Sequence, residues 1–154
     1  ALLGFILRPT TVPRDTYKNL KEMGYFTVNH ITEEMIADAH HTSSSYEEHI
    51  SEFDKTNLEA EFKDNHKVPF VKGSPVQLLC KYVNEYSIEE NGCIHIIASI
   101  ETIYANENLF HNDQWIQLDR GNVIAINGLD GYAVPKLADR FHYARPEKPS
   151  ISML

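Results

Sequence analysis

The sequence predicts a mainly β domain, a small barrel with helical insertions. Three observations predict it. Val76, Leu78, Cys80 and Tyr82 alternate with Gln77, Leu79, Lys81 and Val83, and Ile94, Ile96, Ala98, Ile100 and Thr102 alternate with His95, Ile97, Ser99, Glu101 and Ile103. A period of two is the signature of a strand. Between the two runs lies Glu89-Glu90-Asn91-Gly92, and Asn-Gly is the strongest short hairpin signal. Upstream, the apolar and polar runs are short and change period often, giving a strand, a helix, a strand and two further helices. That order suits a barrel with insertions better than a bundle or a parallel sheet.

Taken in chain order, Leu2 to Leu7 is a short apolar run suited to a buried strand. Pro13 suits the first turn of a helix, and Asp15 suits the positive end of its dipole. Tyr17, Leu20 and Met23 recur at helical spacing, with Lys18, Lys21 and Glu22 on the wet side, and Gly24 follows as a stop. The spacing predicts a helix over 13–23. Tyr25 to Val28 favours a strand. Thr32 caps a second helix that ends near His40. Ser45-x-x-Glu48 has the form of a capping box, with Ile50 and Phe53 as the buried stripe of a third short helix. A polar stretch from Asp54 to Lys67 is expected to be part loop and part short helix. Gln114 to Leu118 and Val123 to Ile126 add short strands, and Asn127-Gly128 and Asp130-Gly131 mark turns. The tail from Arg145 to Leu154 carries two prolines and is expected to lie on the surface or on a partner. With no internal repeat and no linker, residues 1–154 read as one domain.

Composition narrows the function. A net charge of -8 with no local basic patch argues against nucleic acid. No apolar run approaches the roughly 20 residues of a membrane helix, and no basic segment leads an apolar one as in a secretory signal. Cys80 and Cys93 show no CxxC spacing and sit in or beside apolar runs, so buried free thiols and a reducing cytoplasm are expected. The eight histidines form no HExxH or Cys/His cluster, so no metal is expected. GxSxG, GxGxxG and P-loop patterns are absent. Trp115, Tyr104 and Phe110 read as core or interface aromatics, and Glu101 and Asp119 have no spacing that pairs them.

One segment carries chemistry. A strand ends at Arg8 and a helix begins near Pro13, with Thr10, Thr11 and Arg14 between them and Thr16 in the first turn. Free N–H groups and the macrodipole make a helix start a ready anion site. Two guanidinium groups and three hydroxyls add donors on several sides, which suits a phosphomonoester better than a carboxylate. On spacing alone, solvated arginines at a helix start are the stronger reading, with Asp15 serving only the dipole.

The same residues carry a resemblance. Arg8-Pro9 followed by Arg14-Asp15-Thr16-x-x-Asn19-Leu20, Gly24-Tyr25-Phe26-Thr27-Val28-Asn29, Thr42-Ser43-Ser44-Ser45-Tyr46 with Glu52-Phe53, and Ser74-Pro75-Val76-Gln77-Leu78-Leu79-Cys80-Lys81 occur in order. This series resembles the flavin reductase-like, FMN-binding split β-barrel family. The resemblance implies a split barrel, a homodimer with the flavin near its interface, and FMN as cofactor, with FAD as the alternative. It implies hydride transfer from NAD(P)H to the flavin and on to an acceptor. It places Arg8, Thr10, Arg14, Asp15, Thr16 and Asn19 at the flavin phosphate and ribityl chain, with Ser43, Ser44 and Tyr46 nearby. It names binding residues and no catalytic side chain. Family members carry further strands and a flavin-contacting loop upstream of the segment that opens this sequence, so the domain is expected to be N-terminally incomplete. Two other roles are compatible with the same residues: a non-catalytic flavin-binding electron carrier, and a structural module that has lost flavin.

Overall fold

The computed structural model describes residues 1–154. Its centre is an antiparallel sheet of four strands in the order β1-β6-β5-β2. These are β1 (Leu2–Leu7), β2 (Tyr25–Asn29), β5 (Val76–Ile88) and β6 (Cys93–Ala105). The long hairpin of β5 and β6 turns at Asn91-Gly92, where Gly92 takes φ 69° and the Asn91 side chain accepts a bond from the Cys93 N–H. That hairpin is the backbone of the fold. The shorter strands flank it, β1 against β6 and β2 against β5. The sheet does not close on itself, so β1 and β2 remain edges and the architecture is an open, split barrel.

Helix α1 (Asp15–Met23) connects β1 to β2 across one face. It starts two residues later than its spacing suggests, because Arg14 is extended (φ -132°, ψ 107°) and serves as the N-cap. It stops where expected. Gly24 adopts φ 67° and its N–H bonds the Leu20 carbonyl, a left-handed cap that only glycine enters without strain. Leu20 is buried with Leu7 and Ile96, so the helix stripe is pinned to β1 and β6. A 3-10 turn over Glu33–Met35 leads into α2 (Ile36–His41).

Five expectations are corrected. The strand Leu2–Leu7 forms but is not a buried one. It pairs on one side only, and Leu2 and Ile6 stay 70% and 54% exposed on the uncovered face. No helix follows Ser45. Glu48 pairs with Lys18 instead of capping, and only a 3-10 turn forms over Glu52–Asp54, capped by Ser51. The polar stretch 54–67 holds β3 (Ala60–Glu61), which pairs with β4 (Phe70–Val71). In the second half, 114–118 makes only an isolated Ile116–Phe110 bridge, and the late hairpin is β7 (Ala125–Asn127) with β8 (Gly131–Ala133). Of the two free cysteines, Cys80 is buried and Cys93 half-exposed, because Cys93 opens β6 at the hairpin turn.

The start of β5 departs from simple alternation. Val76 to Cys80 are all buried, because both faces are covered. Val76, Leu78 and Cys80 join Ala98 and Leu109, whereas Leu79 joins Val68 and Phe70. Gln77, buried with them, is fully engaged: it donates to Glu61 (2.8 Å) and to the Val71 carbonyl (2.6 Å) and accepts from Lys63 (2.5 Å). A buried amide with partners is tolerated where an unpaired one is costly. The β3–β4 hairpin is tied to β2 by side chains, Thr27 donating to the Pro69 carbonyl and Asn29 accepting from the Val71 N–H. The tail folds back on itself through bridges at Phe141–Ser152 and Arg145–Lys148. No helix of the structure is long and apolar enough to cross a membrane.

Candidate functional site

Leu7 is the last residue of β1 and is buried, which places Arg8 at the point where the chain leaves the sheet. The loop from Pro9 to Pro13 is drawn back by Arg14, whose Nε donates to the Pro9 carbonyl at 3.0 Å. That bond uses one of five guanidinium donors and leaves the terminal nitrogens available. No side chain caps α1, so its first N–H groups are open to a ligand.

A second segment comes up against this junction. After α2, the Thr42 hydroxyl donates to the Ala39 carbonyl (2.7 Å) and the Ser43 hydroxyl to the His40 carbonyl (2.8 Å). These bonds tighten the helix end and turn Ser43 to Tyr46 toward the start of α1. Two grooves lie between the segments. One, of about 350 Å³, is lined by Arg8, Arg14, Asp15, Thr16, Ser43 and Ser44 among others. The other, of about 690 Å³, takes in Thr10, Arg14, Asp15, Ser44 and Tyr46. They share Arg14, Asp15 and Ser44, so eight sequence-selected residues gather in one place. Asn19 does not join them. It lies a turn further along α1, in a third groove that Thr16 also borders.

The electrostatics are mixed. Lys18 forms an ion pair with Glu48, which raises the Lys18 pKa and lowers that of Glu48. The pair is exposed and contributes little stability, but it neutralises Lys18. Arg8 and Arg14 are thus the free cations, opposed by Asp15 and Glu52. Asp15 complements the helix dipole. The hydroxyl of Tyr46 is buried with no hydrogen-bond partner, its ring set edge-on to His41 at 5.9 Å. An orphaned buried hydroxyl beside a groove full of anion donors fits a ligand that brings its own oxygens. Ser45 and Glu52 also line both grooves. The sequence reads Ser45 as a helix cap, and the structure sets it in the grooves instead, within the Thr42–Tyr46 segment that carries the resemblance.

Elsewhere the singled-out residues have structural partners. Tyr104 packs on Phe70 and donates to Asp64, which pushes its pKa up to about 12. Trp115 lies under the Arg140 guanidinium at 4.4 Å. Asp119 accepts from the Leu137 N–H and Glu101 from Ser99, so they form no carboxylate pair. No group of three or more His, Cys, Asp or Glu side chains is placed to hold a metal.

An open β sheet with an uncapped, arginine-flanked helix start at its edge defines a split-barrel protein. The family model described as "Flavin reductase like domain" matches residues 1–122, and the chain belongs to that family. Among solved structures it is similar to a Shewanella frigidimarina protein described as a flavin reductase with a split barrel domain (34% identity, TM-score 0.88, covering 93% of this chain and 71% of that one). It is also similar to nitrilotriacetate monooxygenase component B from Bacillus cereus (21%, TM-score 0.77, covering 92% and 71%). Flavoredoxin of Desulfovibrio vulgaris shares the fold at 17% identity (TM-score 0.72, covering 95% and 74%). No curated protein matches the chain.

Proposed function

We propose that the chain is an FMN-binding oxidoreductase that passes hydride from NAD(P)H to the flavin and electrons on to an acceptor. The observation that carries this reading is the convergence of Arg8, Arg14 and Thr16 with Ser43 and Ser44 around an uncapped helix start. Family membership and the similarity to the Shewanella protein support the flavin as the phosphate-bearing ligand. When bound, the flavin supplies the redox chemistry, so the protein needs no acid, base or nucleophile for hydride transfer itself. Arg8 and Arg14 hold the phosphate by charge-assisted bonds. Thr10, Thr16, Ser43 and Ser44 add hydroxyl contacts, and Tyr46 donates its unused O–H. Asp15 and Asn19 serve the ribityl side. FAD is the alternative cofactor.

The test is the visible absorption of freshly purified full-length protein, followed by NAD(P)H oxidation with added FMN. Flavin absorption with turnover is expected. Bound flavin without turnover would make the protein an electron carrier. Protein that neither carries flavin nor quenches FMN fluorescence would remove the reading.

Tyr46→Phe gives a sharper check. The hydroxyl has no protein partner, so its loss should leave the flavin-free protein equally or slightly more stable, since an unsatisfied buried polar group costs about 1–3 kcal/mol. FMN affinity should fall about two- to tenfold, the worth of one ordinary hydrogen bond. Parallel thermal melts and FMN titrations read the two effects; lost stability with unchanged affinity would remove Tyr46 from the site.

We also propose a homodimer formed through the uncovered sheet face. Ile6, His95 and Tyr86 sit side by side across β1, β6 and β5 on that face, and Leu2 extends the row along β1. Ile6 and Tyr86 are more than half exposed, an apolar surface that a second copy would cover. Sedimentation velocity should show a dimer, and Ile6→Lys should shift it to monomer; a wild-type monomer at micromolar concentration rules the dimer out.

A further inference from the structure

From Phe141 to Leu154 every residue is exposed, yet the backbone forms an arm of two bonded legs. The His142 N–H donates to the Ile151 carbonyl (3.1 Å) and the Met153 N–H to the Arg140 carbonyl (2.7 Å), with Arg145 and Lys148 bridged at the turn. The arm is fixed at its root. Arg140 stacks on the Trp115 ring at 4.4 Å and forms an ion pair with Asp113. Asp139 accepts from the Ser152 hydroxyl at 2.7 Å. Beyond the root the arm stands clear of the body that carries it. It also lies outside the segment 1–122 that matches the family model.

Two features define the surface it fits. The first is apolar. A two-stranded hairpin by itself is marginal in water and gains stability by packing an apolar face. This arm presents Phe141, Tyr143, Ile151 and Leu154, all more than half exposed, with Tyr143 at 90%. Exposed apolar groups of this kind mark contact sites. A notch of about 400 Å³ opens among Tyr143, Pro149, Ile151 and the cations Arg145 and Lys148. The second feature is charge. Residues 136–154 hold four Lys or Arg and two Asp or Glu, a net +2, whereas residues 1–135 hold ten and twenty, a net -10. Arg145 and Lys148 form no ion pair within the chain. The arm is therefore opposite in sign to the body. Its root holds it off its own body, so the acidic surface within its reach belongs to another molecule, and a second copy presents that surface.

We infer that the arm docks on the acidic body of a second copy of this chain, packing its apolar side chains there while Arg145 and Lys148 face carboxylates. In a two-fold dimer each copy gives an arm and receives one, so the contact is made twice. This rests on the homodimer proposed above and adds to it a contact separate from the uncovered sheet face.

The experiment is sedimentation velocity of full-length protein over a concentration series, at low salt and at about 1 M salt, where screening shortens to roughly 3 Å. The variants are Arg145→Glu/Lys148→Glu and Tyr143→Ser, with thermal melts alongside. All three side chains are exposed, so the fold should be untouched. A wild-type dimer that weakens at high salt is expected. The double charge reversal should raise the dimer Kd about tenfold or more at low salt and remove most of the salt dependence, because it replaces attraction by like-charge repulsion. Tyr143→Ser should weaken the dimer at both salt concentrations. A dimer that Ile6→Lys breaks and both arm variants leave intact overturns the inference and keeps the sheet-face contact. Arm variants that lower the melting temperature without changing the dimer Kd also overturn it, since the arm then packs on its own chain. A wild-type monomer at micromolar concentration overturns this inference and the homodimer together.

Discussion

Arg14→Ala is expected to weaken FMN binding by about 1.5–3 kcal/mol, the worth of a hydrogen bond to a charged group. In a titration that is a rise in Kd of about ten- to a hundredfold. Arg14 is the residue where the two cradle grooves meet, and it is half-buried. Its Nε bond to the Pro9 carbonyl holds the fork in place before a ligand arrives, and a preorganised donor loses less entropy on binding. Arg14→Lys should recover only part of the affinity, because an ammonium keeps the charge but cannot bond Pro9 and a phosphate in one plane. Folding should change little in either variant, since the bond to Pro9 lies at a loop near solvent. Unchanged FMN affinity in Arg14→Ala would place the phosphate elsewhere.

Phe70→Ala is expected to have the largest effect on stability, about 3–5 kcal/mol. Phe70 is fully buried, packs with Val68 and Leu79, and meets Tyr104 edge to face at 5.4 Å. Its removal leaves a cavity on the β5 face that the β3–β4 hairpin covers, and it strips the packing above the Lys63–Gln77–Glu61 bonds. Domains of this size keep only about 5–15 kcal/mol in total, so the variant should approach the limit of folding. Urea denaturation measures the loss as a lower midpoint. A cost below about 1 kcal/mol would mean that the hairpin does not pack on β5 as described.

The legible parts of the fold were those written in local chemistry. Asn91-Gly92 specifies a tight turn by its own backbone preferences, so the β5–β6 hairpin could be read at once. Gly24 marked the end of α1 for the same reason. The misread parts were those where a distant partner outcompeted a local signal. Glu48 satisfied a capping pattern with Ser45, yet Lys18, thirty residues upstream, takes it as an ion pair. Leu2–Leu7 has the composition of a buried strand, but burial depends on neighbours on both faces, and one face is bare. Gln77 looked like the wet side of an alternating strand until the β3–β4 hairpin covered it.

The candidate site divides in the same way. The sequence by itself determined the donor set: Arg8, Arg14, the hydroxyls of Thr10 and Thr16, and a helix start between them, because strand end, loop and first turn are set by residues a few positions apart. It also determined the family pattern that the comparison upholds. The resemblance set Ser43, Ser44 and Tyr46 near this junction, but only the tertiary structure decided that Lys18 is neutralised and that the Tyr46 hydroxyl is left without a partner. Those outcomes depend on where α2 docks relative to α1. Docking is fixed by burial and hydrogen bonding between residues far apart in sequence, and no local pattern encodes it.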